Sequence, residues 1–171
     1  MIENIGMRSL WSFKQYREGK LIDEWEIHNV VPDEFLNAGL NILFYDGTPI
    51  ITSWYTLLFE SNTEPSSTTT YLAPGWTEST ASYSPSTRPQ YITTPSSNQT
   101  ISNNVNPIVF TFNTSNSIYG AAIVGGGSAA STKGDTAGGG LVAFAAKFSA
   151  VKNVENEDTL TVLINIISSS L

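Results

Sequence analysis

The stretch PIVFTFNTSNSIYGAAIV at residues 107–124 decides the fold class. In its first half Ile108, Phe110 and Phe112 alternate with polar or β-branched side chains, which is the period of two of a β-strand. A second apolar run follows the short polar link at residues 114–116, so the stretch predicts two strands joined as a hairpin. Neither a charged residue nor a histidine lies in it. Function is therefore expected to depend on what this β core displays.

The 171-residue chain is poor in charge and net acidic. Charged residues make up 13% of it, about half the usual globular fraction, and the formal net charge is −7. Its eight Lys and Arg are scattered, so a nucleic acid is not expected as a partner, because phosphate binding needs clustered cations. The absence of cysteine excludes disulfides and thiolate metal sites. We expect no signal peptide and no membrane span, since no apolar stretch reaches about 18 residues.

The rest of the chain predicts a β-sandwich with one short helix. Residues 9–17 and 20–31 predict a first strand pair around a turn at Gly19, and residues 50–60, 141–149 and 158–167 predict further strands. Residues 33–46 predict the one helix, because Leu36, Leu40 and Leu43 recur at spacings of four and three, with Gly47 as a stop. We expect this apolar stripe to pack on a sheet. The fold class that these patterns predict is an all-β sandwich.

One domain is expected to span residues 1–171, with an N-terminal arm at residues 1–9 and a long excursion at residues 61–100. Of the 40 residues in the excursion, 19 are Ser or Thr and five are Pro. Disordered segments rarely contain so many aromatic residues, so we interpret the excursion as ordered. A second loop, the Gly-rich segment at residues 125–140, is almost free of charge and is expected to be flexible and exposed.

The excursion supplies the candidate interface residues. Tryptophan and tyrosine are enriched where proteins meet, and a lone arginine can pair with a carboxylate across such a contact. The same aromatic side chains could instead form a sugar-binding platform. The predicted interface residues are Tyr71, Trp76, Tyr83, Arg88 and Tyr91. No residue between Arg88 and Lys133 is charged, a run of 44 residues that is typical either of a protein-binding surface or of buried strands with a neutral loop.

Motifs for catalysis or cofactors do not rise above background. His28 is the only histidine and shares a predicted strand face with Glu24 and Glu26, which we interpret as a solvated face rather than a metal site. Residues 125–130 fit a loose dinucleotide pattern, but residues 131–138 do not predict the helix that such a site needs. Paired carboxylates such as Glu155 and Glu157 are equally explained by solvation. We therefore expect no catalytic residue, no metal and no cofactor.

Several short strings, taken in order, resemble those of a known family. The likeness covers about residues 11–167, and its order is more specific than any one string. The strings are Trp11-Ser-Phe13, Asn29-Val-Val31, Gly39-Leu-Asn41, Trp54-Tyr55, Trp76-Thr-Glu-Ser-Thr80, Ser86-Thr-Arg-Pro89, Ile118-Tyr-Gly-Ala121, Ala145-Ala-Lys-Phe148 and Asp158-Thr-Leu160. Together they resemble the head cement, or decoration, proteins of tailed bacteriophages, which are small structural proteins of the virion.

The resemblance implies a function without catalysis. Such proteins have a jelly-roll-like β fold, form dimers or trimers, and bridge subunits of the major capsid protein on the outside of the capsid. The expected partners are therefore the major capsid protein and further copies of this chain, and the expected location is the capsid exterior after synthesis in the host cytoplasm. A phage tail part or a receptor- or carbohydrate-binding module is the alternative.

Overall fold

A computed structural model of the chain describes residues 5–45 and 49–170. Within these ranges the chain forms nine strands and one helix, so the predicted all-β class is confirmed. The predicted helix stop, Gly47, lies outside the described residues. In chain order the elements are β1 (Ile5–Arg17), β2 (Lys20–His28), α1 (Asp33–Phe44), β3 (Trp54–Phe59), β4 (Tyr83–Ser84), β5 (Thr100–Ser102), β6 (Ile108–Phe112), β7 (Asn116–Gly125), β8 (Leu141–Val154) and β9 (Thr159–Ser170).

Two antiparallel sheets pack face to face. The larger sheet has the strand order β2-β1-β9-β6-β4, and β5 pairs with the second half of β9. The smaller sheet has the order β3-β7-β8. Residues 5–9, expected in an N-terminal arm, instead form the start of β1 and pair with the end of β9. The predicted pairing of β1 with β2 is confirmed.

The predicted hairpin at residues 107–124 is wrong. Both strands exist, but β6 belongs to the larger sheet and β7 to the smaller one. The polar link between them therefore carries the chain from one sheet to the other. The physical reason is that both strands contribute to the same core, with Phe110 and Phe112 facing Ile118 and Ile123 across the sandwich, and an apolar pattern does not distinguish a pair within one sheet from a pair across two.

The main core fills the space between the two sheets. Residues that alternate along β1, β6 and β9 meet residues from β3, β7 and β8. Trp11 and Phe13 from β1 are fully buried, and Phe13 stacks on Trp25 with ring centroids 5.1 Å apart. The expected core residues Phe110, Phe112, Ile118, Val162 and Ile164 are all buried, which confirms that prediction.

The smaller sheet is buried on both faces. Successive residues of β7 alternate between two clusters: Ala121 and Ile123 belong to the main core, whereas Ala122 and Val124 pack outward. The outward cluster also contains Tyr71 and Trp76 from the excursion, together with Leu57 and Phe59 of β3. The excursion thus adds a third layer outside the smaller sheet, which we call the outer layer, while its β4 joins the larger sheet and its Tyr83 and Tyr91 reach the main core.

The helix packs with a different side than the sequence predicts. Phe35 contacts the rings of Trp54 and Phe144, with centroids 5.7 and 5.2 Å away. Glu34 fixes the rotation, because its Oε1 accepts hydrogen bonds from the backbone N–H groups of Tyr71 and Val142. As a result the predicted stripe of Leu36, Leu40 and Leu43 faces away from the sheets and is exposed, so the expectation that it would be buried is wrong.

A buried carboxylate joins the first strand to the last. Asp158, just before β9, is fully buried. Arg17 donates from Nε to its Oδ1 over 2.8 Å and from Nη2 to its Oδ2 over 2.9 Å, while Gln15 Nε2 and the backbone N–H of Glu155 donate to Oδ2. The hydrogen bonds from Arg17 outweigh desolvation and lower the pKa of Asp158 to about 2. Asp158 therefore stays ionised far into the acid range.

We expect Asp158→Asn to destabilise the protein by about 3 kcal/mol at pH 7, because the amide has no charge and replaces one acceptor oxygen with an NH2 group that faces the donors of Arg17 and Gln15. The depressed pKa means that the carboxylate stabilises the fold above its unfolded pKa of 3.8, and that this stabilisation is lost as the pH falls toward 2. Urea unfolding of both proteins at pH 7, 4 and 2.5 measures the difference, which should shrink with acidity.

The matched control for this change is Glu155→Gln. Glu155 also pairs with Arg17, at 2.7 Å, but its side chain is mostly exposed. An exposed pair contributes under about 1 kcal/mol. Equal losses for Asp158→Asn and Glu155→Gln, or a difference that does not change with pH, would contradict the role given to Asp158.

Candidate functional site

One arginine joins the outer layer to the Gly-rich loop. Arg88 is only 3% exposed, and its Nε and Nη2 donate to the two carboxylate oxygens of Glu78 over 3.0 and 2.6 Å. The same guanidinium donates from Nη1 to the carbonyl of Ala130 and from Nη2 to the carbonyl of Asp135. Tyr71 completes the group, which we call the arginine clasp: Arg88, Glu78, Tyr71 and Asp135. The clasp fixes two long segments against each other.

The polar groups of the clasp satisfy one another. The Tyr71 hydroxyl donates to Asp135 Oδ2 over 2.8 Å and accepts from Arg88 Nη1 over 2.9 Å. Desolvation, followed by the hydrogen bond to Asp135, raises the pKa of Tyr71, and that hydrogen bond lowers the pKa of Asp135. Burial opposes the charge on Arg88, but its contacts with Glu78 raise its pKa above the ordinary value. The protonated hydroxyl of Tyr71, the ionised carboxylate of Asp135 and the charged guanidinium of Arg88 are thus the forms that hold the two segments together.

The Gly-rich loop lies at the surface, as the sequence predicts, but it is only partly exposed and is tied to the outer layer. Arg88 N donates to the carbonyl of Ser131 over 2.8 Å, and Gly134 N donates to Glu78 Oε2 over 2.8 Å. Lys133 Nζ lies 3.5 Å from the centroid of the Tyr83 ring and donates to the Tyr83 carbonyl. The residues expected to make the loop flexible are therefore held by hydrogen bonds to the outer layer.

All five predicted interface residues are buried within this chain. Three of them, Tyr71, Trp76 and Arg88, line one cavity of about 290 Å³ between the outer layer and the smaller sheet. Tyr83 packs edge-on against Phe110 in the main core. Burial raises the pKa of the Tyr91 hydroxyl, which donates to the carbonyl of Ile164. The buried set is Tyr71, Trp76, Tyr83, Arg88 and Tyr91.

The prediction that these five residues contact another chain is therefore corrected, because they are buried within this one. Composition indicates that the aromatic side chains contact something, but it does not say whether that surface belongs to another chain or to the chain's own sheet. Their contact area is used inside this protein, and Arg88 pairs with Glu78 of the same excursion rather than with a carboxylate across a contact. The same burial means that Trp76, Tyr83 and Tyr91 do not present an exposed sugar platform.

His28 lies on the exposed face of the edge strand β2, as predicted. Glu24 and Glu26 are exposed on the same side of that strand, and Glu26 accepts a hydrogen bond from Ser12. Across residues 5–45 and 49–170, three or more His, Cys, Asp or Glu side chains nowhere gather as metal ligands would. This face resembles the charged edge with which many sheets avoid edge-to-edge pairing.

The outer side of α1 is the largest feature that the sequence analysis missed. Its four apolar residues fall within about 100° of the helix circumference. Their exposed fractions are 45% for Leu36, 58% for Leu40, 74% for Leu43 and 83% for Phe44. We call these four residues the helix face. The sequence does carry a sign of this arrangement, because Phe35, Ala38 and Ile42 form a second apolar side of the helix. With that side available for packing, the leucine stripe is not needed for it.

Asp33 and Glu34 at the start of α1 are acidic, but the segments that follow them are uncharged. Residues 35–45 and 49–59 contain no charged side chain. A groove of about 630 Å³, bounded by Ile50, Ile51 and the Gly-rich loop, is lined by uncharged residues. A second, apolar cleft of about 440 Å³ lies between Phe35, Trp54 and Ile166 and is also free of charged lining. These two hollows are therefore uncharged parts of the surface of an acidic protein.

Comparison with models of known protein families finds no match, and comparison with curated protein sequences finds none either. The helix in the described part of the chain is too short to cross a membrane. The arrangement of the helix face, rather than a relative, therefore has to guide the functional proposal.

Proposed function

We propose that this protein is a structural protein of a phage virion, which binds the outside of the capsid and strengthens contacts between major capsid protein subunits. The observation that carries the proposal is the helix face. Large apolar side chains that a chain leaves in water, when they lie next to one another, mark a surface that another protein covers. The helix face therefore supports a function in which this protein assembles with another protein.

Charge and rigidity support the same role. The chain has few charges for its length, as is typical of proteins that are partly covered by neighbours. The arginine clasp holds the two longest loops against the smaller sheet, so the surface they form is ordered before any partner binds. A preorganised surface loses less conformational entropy on binding. Such a surface suits a protein that binds many equivalent positions on a lattice.

The resemblance to head cement proteins directs the proposal to the capsid. Several of its strings include buried residues, among them Trp11, Phe13 and Ile118, so the likeness concerns the packing of a β core. One string, Gly39-Leu-Asn41, lies on the helix and includes the exposed Leu40. A tail location or a carbohydrate-binding role remains the alternative, but the aromatic side chains on which a sugar site would depend are buried.

The mechanism we propose is stabilisation by binding. A protein that binds an expanded capsid, but not its dissociated subunits, shifts the equilibrium toward the intact lattice by mass action. No chemical step is needed, and the contribution of each copy depends on its affinity and concentration. Many copies bound across subunit joints would add these contributions over the whole particle.

The decisive experiment is binding to capsids assembled without this protein. Purified chain is mixed with expanded capsids and with isolated tails, and each mixture is sedimented. We expect saturable binding to capsids, and a higher temperature of capsid rupture in a dye-release assay once the sites are filled. The control is the same chain mixed with unexpanded capsids or free capsid subunits. Sedimentation with tails alone, or saturation without any change in rupture temperature, would contradict the proposed role.

A further inference from the structure

We propose that the apolar cleft beside α1 is a binding site for a small uncharged molecule, mainly apolar and about two aromatic rings in size. The cleft lies between the two sheets, in the way that ligand sites occupy the mouths of β-barrels. Both sheets supply side chains to it. Those residues are Met7, Ile101 and Ile166 from the larger sheet and Trp54, Ile123 and Phe144 from the smaller sheet.

The cleft exists because the larger sheet is not fully covered at this end. Met7 lies on the same side of β1 as Trp11, since residues four apart along a strand share a face. Yet Met7 is 41% exposed, whereas Trp11 is fully buried. The smaller sheet contributes Ala143 here, whose side chain is a single methyl group and fills little of the space. A volume of about 440 Å³ therefore remains between the sheets and Phe35 of α1.

The cleft is deep enough to take a molecule out of water. Its floor consists of Ile123, Ala143 and Phe144, which are at most 2% exposed. Its mouth consists of Met7 and Ile92, which are 41% and 47% exposed. Water in an apolar cleft finds few hydrogen-bond partners, so an apolar ligand that displaces this water gains free energy.

Aromatic rings form much of the wall, which favours an aromatic ligand. Phe35 meets the ring of Trp54 edge-on, with centroids 5.7 Å apart, and that of Phe144 at 5.2 Å. Tyr91 lines the same cleft. A flat ring inserted among them makes the edge-to-face and offset contacts that aromatic pairs prefer.

The volume sets the size of the ligand. An engineered apolar cavity of about 150 Å³ in another protein binds benzene. The cleft has about three times that volume, but part of it belongs to the open mouth. Two rings, or an aliphatic group of the same bulk, therefore fill the enclosed part.

The lining sets the charge of the ligand. Among the residues that the structure describes, none that lines the cleft is charged. A fatty acid, a phosphate ester or an amine would bring an unpaired charge into this apolar site, which is costly. The polar lining residues lie toward the mouth, because Thr52 and Gln90 are exposed and Thr93 is half-buried. A hydrogen-bonding group of the ligand therefore belongs at its outer end.

Two fluorescent probes test the site. N-phenylnaphthylamine is uncharged, and anilinonaphthalene sulfonate has the same ring skeleton with a sulfonate added. Titrated into the purified chain, the uncharged probe should bind saturably at one site with a Kd of about 1–100 µM. The sulfonate should bind at least about 10-fold more weakly. The assay contains no capsid, so its result is independent of the proposed function.

Two variants locate the bound probe. Ala143→Leu fills the floor of the cleft and should weaken binding of the uncharged probe at least about 10-fold. Met7→Lys places a cation at the mouth and should reverse the preference, so that the sulfonate binds more tightly than the uncharged probe. Leu21→Lys is the matched control, because Leu21 is 48% exposed on β2, and it should keep the wild-type preference.

Three results would overturn the proposal. The first is no saturable binding of the uncharged probe up to its solubility limit, and the second is equal binding of the two probes. The third is binding that neither Ala143→Leu nor Met7→Lys alters, because the probe then lies elsewhere, for example on the helix face. Thermal unfolding shows which variants are folded. Should Ala143→Leu fail to fold, Met7→Lys and Leu21→Lys decide the matter, since both positions are exposed.

Discussion

Arg88→Met is expected to destabilise the protein by about 3–5 kcal/mol, because it leaves the buried carboxylate of Glu78 without its partner. The change also removes the donors to the carbonyls of Ala130 and Asp135, so the Gly-rich loop loses its tie to the outer layer. Against a total stability of about 5–15 kcal/mol, such a loss is large. Urea unfolding followed by tryptophan fluorescence measures it.

Two further variants give this prediction its controls. Lys147 and Glu64 form an ion pair at 3.6 Å on the surface, so Lys147→Met should cost under about 1 kcal/mol. Adding Glu78→Leu to Arg88→Met removes the orphaned carboxylate and should restore part of the lost stability. A loss as small as that of Lys147→Met would show that the clasp does not hold the two segments together.

Phe110→Ala should cost about 3–5 kcal/mol, because it opens a cavity at a fully buried position between the two sheets. Phe110 touches the ring of Tyr83, so the cavity also removes an edge-to-face contact that fixes the outer layer to the core. The same urea titration measures the effect, with the denaturation midpoint as the observable.

The neighbouring residue on the same strand supplies the control. Val109 points to the opposite side of β6 and is exposed, so Val109→Ala should change the free energy of unfolding by under about 1 kcal/mol. Similar losses for Phe110→Ala and Val109→Ala would mean that β6 does not alternate between core and solvent as described.

The sequence predicts local structure well because local structure depends on the period of apolar residues. Alternation along residues 9–17 and 20–31 predicts β1 and β2, and their turn depends on Gly19, whose φ of 74° few other residues adopt. The order of strands in space depends on contacts between distant segments. Sequence patterns do not contain that information, which is why the strands around residues 114–116 were expected in one sheet rather than two.

In the candidate site, too, the sequence predicts local features but not the contacts between distant segments. The aromatic residues of the excursion were expected to meet a surface, and they meet this chain's own: Tyr71 and Trp76 pack on the outward face of the smaller sheet, and Tyr83 and Tyr91 reach the main core. In α1 the periodicity is correct, whereas the side that faces the protein is set by Glu34, whose hydrogen bonds reach Tyr71 and Val142. A helix with apolar residues on two sides gives no local sign of which side is buried.

The central place of β9 in the larger sheet governs how the protein can form during synthesis. β1, β5 and β6 all pair with β9, which is the last of the described elements to leave the ribosome. Until β9 emerges, those three strands have open edges, and the apolar residues Trp11 and Phe110 lack part of their surroundings. The larger sheet can therefore close only once β9 has emerged, in a late step that joins the two ends of the described chain.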